Sequence, residues 1–289
     1  MATVTDWIEG ARPRTLPAAL APVLVGTGAA AYDSGAVWWK AALALVVSLA
    51  LQVGVNYAND YSDGVRGTDD GRVGPVRLVG SGAAAPGAVK RAAFGCFGIG
   101  ALAGLALAAT SGWWLLAIGA LAIAAAWAYT GGDAPYGYRA LGEVSVFVFF
   151  GLVAVLGTTY VQLGTVNTAA VLGGIGVGAL ACAILVANNL RDIPTDVVAG
   201  KRTLAVVLGD ARSRGLFVGL HVVALVCLVV LAVVTPWTML GAAAVLPGAP
   251  AVRQVLRGAA GVDLVPVLRD TGLAELAYAV GITAGLLMG

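Results

Sequence analysis

Two short acidic segments hold the residues of this chain best suited to chemistry. One reads Asn56-Tyr57-Ala58-Asn59-Asp60-Tyr61-Ser62-Asp63-Gly64, the other Asn188-Asn189-Leu190-Arg191-Asp192-Ile193-Pro194-Thr195-Asp196. Both contain Asn-x-x-x-Asp, at Asn59/Asp63 and Asn188/Asp192, with an offset of 129 residues. Positions i and i+4 share a helix face, so each pair points one way. Asp196 continues the second face at i+8 unless Pro194 breaks or kinks the helix first. Carboxylate and amide oxygens are hard ligands that suit Mg2+, which keeps several waters and is usually held by a few carboxylates plus substrate phosphates. Basic residues are interleaved: Arg66, Arg72 and Arg77 beside the first segment, Arg191, Lys201 and Arg202 beside the second. That mixture fits a diphosphate. The acids hold the metal, and Arg66, Arg191, Lys201 and Arg202 bind the oxygens it leaves free. Acids near helix ends are otherwise caps or solvated loop residues, the reading kept for Asp69, Asp70, Asp210, Asp263 and Asp270.

The elements that position these residues are membrane helices. The 289 residues are 60% hydrophobic and 11% charged, against about 25% charged in a soluble domain. A soluble globular fold and disorder are both excluded. Forty-one glycines suit closely packed membrane helices. A net charge of +2 names no partner, and three dispersed cysteines give neither a disulfide framework nor a zinc site. The N-terminus carries Asp6 and Glu9 before its first apolar run, a poor cleavable signal.

Charge-free stretches cover 15–32, 41–59, 92–132, 144–190, 215–252 and 276–289. A span needs about 20 apolar residues. The first two stretches and the last hold one span each, and the three long ones a hairpin each, with turns at Ser111–Trp114, Gln162–Thr165 and Thr235–Trp237. The expectation is an all-α integral membrane protein, one domain over 1–289, with nine transmembrane helices around a central cavity. Every Lys and Arg except Lys40, and every Asp and Glu except Asp33, then falls on one side. The positive-inside rule makes that side cytoplasmic, leaves the C-terminus outside, and opens the cavity to the cytoplasmic face. Trp38, Trp39, Trp113, Trp114 and Trp237 fall at the outer boundary as an aromatic belt. A transporter would more often place ionisable groups near the midplane. Here the spans read as charge-free and the acids crowd one surface. That favours an enzyme handling a charged group at the interface while an apolar tail lies in the bilayer. His221, the one histidine, lies within a span and reads as structural.

With these residues in view, the sequence resembles the UbiA superfamily of membrane aromatic prenyltransferases, over nearly the whole chain. The resemblance is closest to its menaquinone branch, which prenylates 1,4-dihydroxy-2-naphthoate. Ala11-Arg12-Pro13-Arg14-Thr15-Leu16-Pro17, the run Asn56–Asp69, Pro135-Tyr136-Gly137-Tyr138-Arg139-Ala140-Leu141-Gly142-Glu143, and Asn188–Asp196 with Gly200-Lys201-Arg202-Thr203 carry it. The superfamily has two aspartate-rich motifs after its second and sixth of nine helices. Its first motif commonly has a further Asp four residues after Asp63, where this chain has Gly67. Asp69 or Asp60 then supplies that ligand, ranked below Asn59 and Asp63.

The resemblance implies a polyprenyl diphosphate with its tail between helices. Mg2+ is held by Asn59, Asp63, Asn188, Asp192 and Asp196, and loop 60–91 is a candidate lid. Asp63, Asp192, Lys201 and Arg139 are the implied catalytic set. The acceptor is an anion needing a cation and donors, for which Arg139 with Tyr136 or Tyr138, and Arg14, are candidates. Reaction at the carboxylate-bearing carbon releases CO2. The alternatives are another aromatic acceptor, such as 4-hydroxybenzoate or homogentisate, and, from other classes, a transporter or a scaffold. Prenyl chain length is not legible.

Overall fold

The computed structural model describes residues 2–67 and 77–289. Its described residues form helices, numbered here in chain order, with a π-helical stretch at Phe147–Val153 and a 3-10 stretch at Pro236–Ala244. A short amphipathic helix α1 (Val4–Ala11) meets α2 (Pro17–Tyr32) at an elbow bent by 50°. Then follow α3 (Trp38–Arg66), α4 (Pro86–Ser111), α5 (Leu115–Ala128), α6 (Gly142–Leu163), α7 (Thr168–Val198), α8 (Asp210–Val234), α9 (Pro236–Leu256) and α10 (Gly261–Met288). Seven helices among the described residues are long and apolar enough to cross a membrane, eight if the bent α1–α2 pair is one span. The protein is therefore a multi-pass membrane protein. The remaining expected span corresponds to α5. Its 14 residues rise roughly 21 Å, short of a hydrocarbon core of about 30 Å.

The three expected hairpin turns fall where the sequence puts them, at Gly112, Gly164 and Thr235–Pro236. The last helix differs. The charge-free stretch 276–289 implied a short last span, extended at most back to about Leu273, but α10 begins at Gly261 and carries Asp263, Arg269, Asp270 and Glu275. Arg269 and Asp270 pair at 2.8 Å and ride on the helix end. Glu275 is fully buried, so the expectation of charge-free spans fails at one position.

Helix α7 is the central staff. Its most apolar stretch is 72% buried, against 28–39% for α3, α4, α6, α8 and α9, which face outward. Small residues let it approach its neighbours: a Cβ on Gly151 of α6 would lie 2.6 Å from the Cα of Gly178 on α7. On the other side, a Cβ on Gly176 of α7 would run into the Tyr278 ring and hydroxyl of α10. With lipid as apolar as the core, such packing supplies the association energy. The five expected belt tryptophans are all exposed, at helix ends away from the acidic segments. His221 is buried, its Nδ1 2.9 Å from the Phe217 carbonyl, as a structural histidine should be.

Candidate active site

Both acidic segments are helical. α3 runs through Asn59 and Asp63 to Arg66 and stops at Gly67, whose φ of +68° lets its N–H reach back to the carbonyls of Asp63 and Gly64. α7 runs through Asn188 and Asp192 and, against the expectation of a break, continues past Pro194 to Val198. Pro194 sits in the last turn and a half, so it removes one helical bond near an end where carbonyls go unsatisfied anyway. Asp196 thus stays on the face of Asn188 and Asp192.

Five of the expected ligands line one cavity: Asn59, Asp63, Asn188, Asp192 and Asp196. Asp63 is 4% exposed, Asp192 4% and Asp196 8%. Three chain segments converge on Asp63. Lys201 Nζ stands 3.4 Å from its Oδ1, Arg77 Nη2 is 3.9 Å from its Oδ2, and the Tyr138 hydroxyl donates to Oδ1. Lys201 Nζ also lies 4.8 Å from the centre of the Tyr138 ring. The Arg202 N–H donates to the Tyr138 carbonyl at 3.0 Å, which ties the turn after α7 to the turn before α6. On α7, Arg191 grips both oxygens of Asp192, at 2.7 and 2.8 Å, and reaches Asn188 Oδ1 at 2.8 Å. Thr130 donates to Asn59 Oδ1 at 2.7 Å.

The fold separates the remaining candidates. Asp60 does not line the cavity. Its two oxygens accept the N–H groups of Leu78 and Val79 at 2.8 and 2.9 Å, so it braces the loop after α3 instead of offering a metal ligand. The reason is angular: i+1 points about 100° away from i on a helix. Arg66 is spent on the carbonyls of Thr130 and Gly132. Arg202 and Arg139 are exposed, and neither lines the cavity; what they contribute is backbone, a parallel bridge to each other. Arg191, Lys201 and Arg14 do line it. Tyr136 lines it with its hydroxyl engaged by the Ala125 carbonyl and Ser145 Oγ, both at 2.8 Å. Asp69 lies outside the described residues. The lid candidate shrinks as well, since 60–66 and 86–91 are helical and 68–76 are outside the description.

Sequence reasoning gave no role to Arg12, Gln52 and Tyr129, which also line the cavity. Tyr129 rests on the glycine turn before α6: a Cβ on Gly137 would meet its ring at 3.2 Å and one on Gly142 its hydroxyl at 3.2 Å. Burial first, then the charges of Glu143, Asp63 and Asp196, push its phenol far above the ordinary range. Burial likewise raises Tyr136, against the opposing hydrogen bond from Ser145. Both are therefore neutral hydrogen-bond donors at physiological pH.

The cavity occupies about 1180 Å3. Its acidic mouth leads into an apolar body walled by Val47, Leu51, Ile118, Phe149 and Phe150. From Ala44 to Asp63, which both line it, α3 rises roughly 28 Å, nearly a bilayer core. A charged head at the mouth and a long apolar tail in the body match this shape. Among the described residues no three His, Cys, Asp or Glu side chains form a metal-holding group. The oxygen donors that line the mouth fit Mg2+ in its usual mode, one or two carboxylates completed by water and phosphate oxygens, and do not fit an all-protein cage.

Comparison with known proteins agrees with this architecture. The UbiA prenyltransferase family matches residues 19–260. A Mycobacterium tuberculosis protein named 1,4-dihydroxy-2-naphthoate octaprenyltransferase is 57% identical over 289 residues, 100% of this chain and 99% of that one. An Escherichia coli protein of the same name is 42% identical over 77% of this chain and 74% of its own. A UbiA homolog from Aeropyrum pernix K1 superposes with a TM-score of 0.71 at 16% identity, over 94% of this chain and 97% of that one. One from Archaeoglobus fulgidus, solved bound to GPP and Mg2+, gives 0.67 at 14% identity, over 98% and 100%. At those identities the structures bear on the fold.

Proposed function

The chain belongs to the UbiA prenyltransferase family, and on that premise we propose that it transfers a polyprenyl group from polyprenyl diphosphate to 1,4-dihydroxy-2-naphthoate. CO2 and diphosphate leave, and the product is a demethylmenaquinol. The observation that carries this reading is one large cavity with Asp63, Asp192, Asp196, Arg191 and Lys201 at one end and an apolar body beyond. The acceptor follows from the two relatives named for it.

In this reading Asn59, Asp63, Asn188, Asp192 and Asp196 hold Mg2+, which when bound neutralises charge growing on the departing diphosphate. Lys201, Arg191 and the neutral hydroxyl of Tyr129 give the same oxygens fixed donors. Arg191 also holds Asp192 and Asn188 in one orientation. Breaking the allylic C–O bond leaves a cation that water would quench. The apolar walls, Phe149 and Phe150 among them, keep water from it. The ring carbon bearing the carboxylate forms the new C–C bond, and loss of CO2 returns the bonding pair to the ring. Arg14 faces the acceptor's carboxylate across the mouth. The acceptor's hydroxyl meets the Gln52 oxygen, Tyr136 with its proton on the Ala125 carbonyl forms the wall beside it, and Tyr138 serves by holding Asp63. The mouth faces the cytoplasm of a bacterial membrane, since every described Lys and Arg but Lys40 lies toward that end.

The test is the detergent-purified protein with polyprenyl diphosphate, 1,4-dihydroxy-2-naphthoate and Mg2+, read by mass spectrometry. The expected product is lighter than the simple adduct by one CO2 and absent with EDTA or in Asp192→Asn. Product from 4-hydroxybenzoate or homogentisate instead would overturn the acceptor. No product from any acceptor would overturn the reaction class.

A further inference from the structure

Arg139 and Arg202 are cations that the cavity leaves unused. Arg139 precedes the first residue of α6, Gly142, and Arg202 follows the last residue of α7, Val198. Both therefore stand where a span meets the membrane surface, on the side of the acidic mouth. Their backbones form the parallel bridge between the two turns. Bridged backbones lie about 5 Å apart, so the two guanidinium side chains leave side by side, and both residues are exposed. Among the described residues no carboxylate pairs with either of them. Like charges set directly opposite each other repel, and an anion between them removes that cost. The flanking surface is apolar. Leu141 and Val144 are exposed at the start of α6, and Val197 and Val198 at the end of α7, Val198 to 90%.

We infer that Arg139 and Arg202 seat the phosphate of an anionic lipid headgroup, and that this lipid steadies the bridge behind Asp63. Guanidinium forks match phosphate oxygens in pairs. The exposed valines and leucine beside them belong at the acyl boundary, where apolar side chains anchor a surface to the bilayer. An anionic headgroup attracts basic residues at this depth, while a zwitterionic one brings its own cation. The seat touches the site through its neighbours in sequence. Successive residues of an extended segment point to opposite sides, so Tyr138 and Lys201 turn inward as Arg139 and Arg202 turn out. The Tyr138 hydroxyl donates to Asp63, and Lys201 Nζ stands 3.4 Å from the same carboxylate. The Arg202 N–H fastens the two turns at the Tyr138 carbonyl, 3.0 Å away. A phosphate that relieves the repulsion outside holds both inner side chains in place.

The experiment titrates the detergent-purified full chain with phosphatidylglycerol or phosphatidylcholine and counts retained lipid by native mass spectrometry. Wild type holds one phosphatidylglycerol at least about tenfold more tightly than the double variant Arg139→Gln/Arg202→Gln, which keeps the backbone bridge. Phosphatidylcholine does not separate the two proteins. The control is Arg212→Gln/Arg253→Gln, which removes two exposed arginines elsewhere on the same membrane surface and keeps wild-type binding. Equal binding by wild type and the Arg139/Arg202 variant overturns the seat, and an equal loss in the control replaces it with diffuse surface charge. Unfolding temperature separates the sources of phosphate: phosphatidylglycerol raises it in wild type and inorganic phosphate does not. A rise with inorganic phosphate alone overturns the lipid. The link to Asp63 rests on the proposed reaction and is read as turnover with lipid over turnover without. That ratio is at least about fivefold in wild type and near one in the Arg139/Arg202 variant. Bound lipid with an unchanged ratio overturns the link and leaves the seat. No turnover under any condition overturns the proposed reaction, while the binding result stands by itself.

Discussion

Lys201 Nζ stands 3.4 Å from Asp63 Oδ1, although 138 residues separate them. The contact joins the two acidic segments, for Lys201 follows α7 and Asp63 ends α3. It also aims an ammonium at the mouth, held there from below by the Tyr138 ring. Lys201→Met keeps the stem and loses the charge. A preorganised donor to a departing oxyanion is worth about a hundredfold or more in kcat. The expected result is a drop of that order in kcat with the KM of the aromatic acceptor unchanged, read by steady-state kinetics. A loss seen in the acceptor KM alone would move Lys201 from the diphosphate to the acceptor.

Asp60 and Asp63 sit three residues apart and are expected to behave differently. Asp60 braces Leu78 and Val79 through two backbone bonds, and it is 1% exposed. Asp60→Ala leaves two N–H groups without a partner and costs about 2–4 kcal/mol of stability. Thermal unfolding in detergent should report that loss, while the folded fraction keeps the wild-type Mg2+ half-saturation. Asp63→Asn should do the reverse, shifting the Mg2+ requirement upward with a small change in unfolding temperature.

How much of this was legible depended on whether a local rule decides it. The i, i+4 rule put Asn59 with Asp63 and Asn188 with Asp192, and the helices keep it. The same rule turns Asp60 away, because a neighbour in sequence is a third of a turn round the helix. Apolar runs gave the hairpins and their turns. They misplaced the start of α10, because a charge-free count ends at Glu275 and a helix does not: that residue is buried inside the bundle. Which cations face the mouth is a tertiary matter. Arg66 follows one Asn/Asp pair and Arg191 lies within the other, yet Arg66 is drawn to carbonyls just past α5 and Arg191 to its own segment. No local pattern distinguishes them.

That distinction is testable. Arg191→Lys retains the charge but cannot hold both Asp192 oxygens and Asn188 with one planar group. Its kcat should fall by about tenfold or more, with a raised Mg2+ half-saturation. Arg139→Ala, exposed and outside the cavity, should stay within about threefold of wild type. Equal losses in the two would show that Arg139 turns inward when substrate binds.

Tyr129 gives a pH prediction. Its folded pKa is raised, by burial first and neighbouring carboxylates next. A phenol with a raised folded pKa holds its proton more tightly when folded. Its contribution to stability is therefore complete below the unfolded value of about 10 and is lost as pH rises beyond it. Unfolding measured from pH 9 to 11 should show less alkaline destabilisation in Tyr129→Phe than in wild type. Identical slopes would mean that the hydroxyl is open to water, contrary to its place on the glycine turn.

The last prediction concerns an oxygen with no partner. Thr15 Oγ1 donates its one proton to the Arg12 carbonyl at 2.9 Å. It can then only accept, and it does so from Gln52 Nε2 at 2.7 Å and Asn56 Nδ2 at 3.0 Å. The Gln52 amide is thereby fixed nitrogen-first on the elbow, which leaves its Oε1 buried with no hydrogen bond. An unsatisfied buried acceptor is costly and uncommon, and one on a cavity wall is accounted for by a ligand that supplies the proton. The hydroxyls of the acceptor are such donors. Gln52→Leu removes the orphan along with one bond, so stability should change by only about 1 kcal/mol. The KM for 1,4-dihydroxy-2-naphthoate should rise about tenfold, with the KM of the prenyl donor unmoved. The decisive comparison is 1-hydroxy-2-naphthoate. Wild type should prefer the dihydroxy acid, and Gln52→Leu should lose much of that preference. A preference that survives the substitution would assign the hydroxyl to another residue and leave Gln52 as part of the elbow.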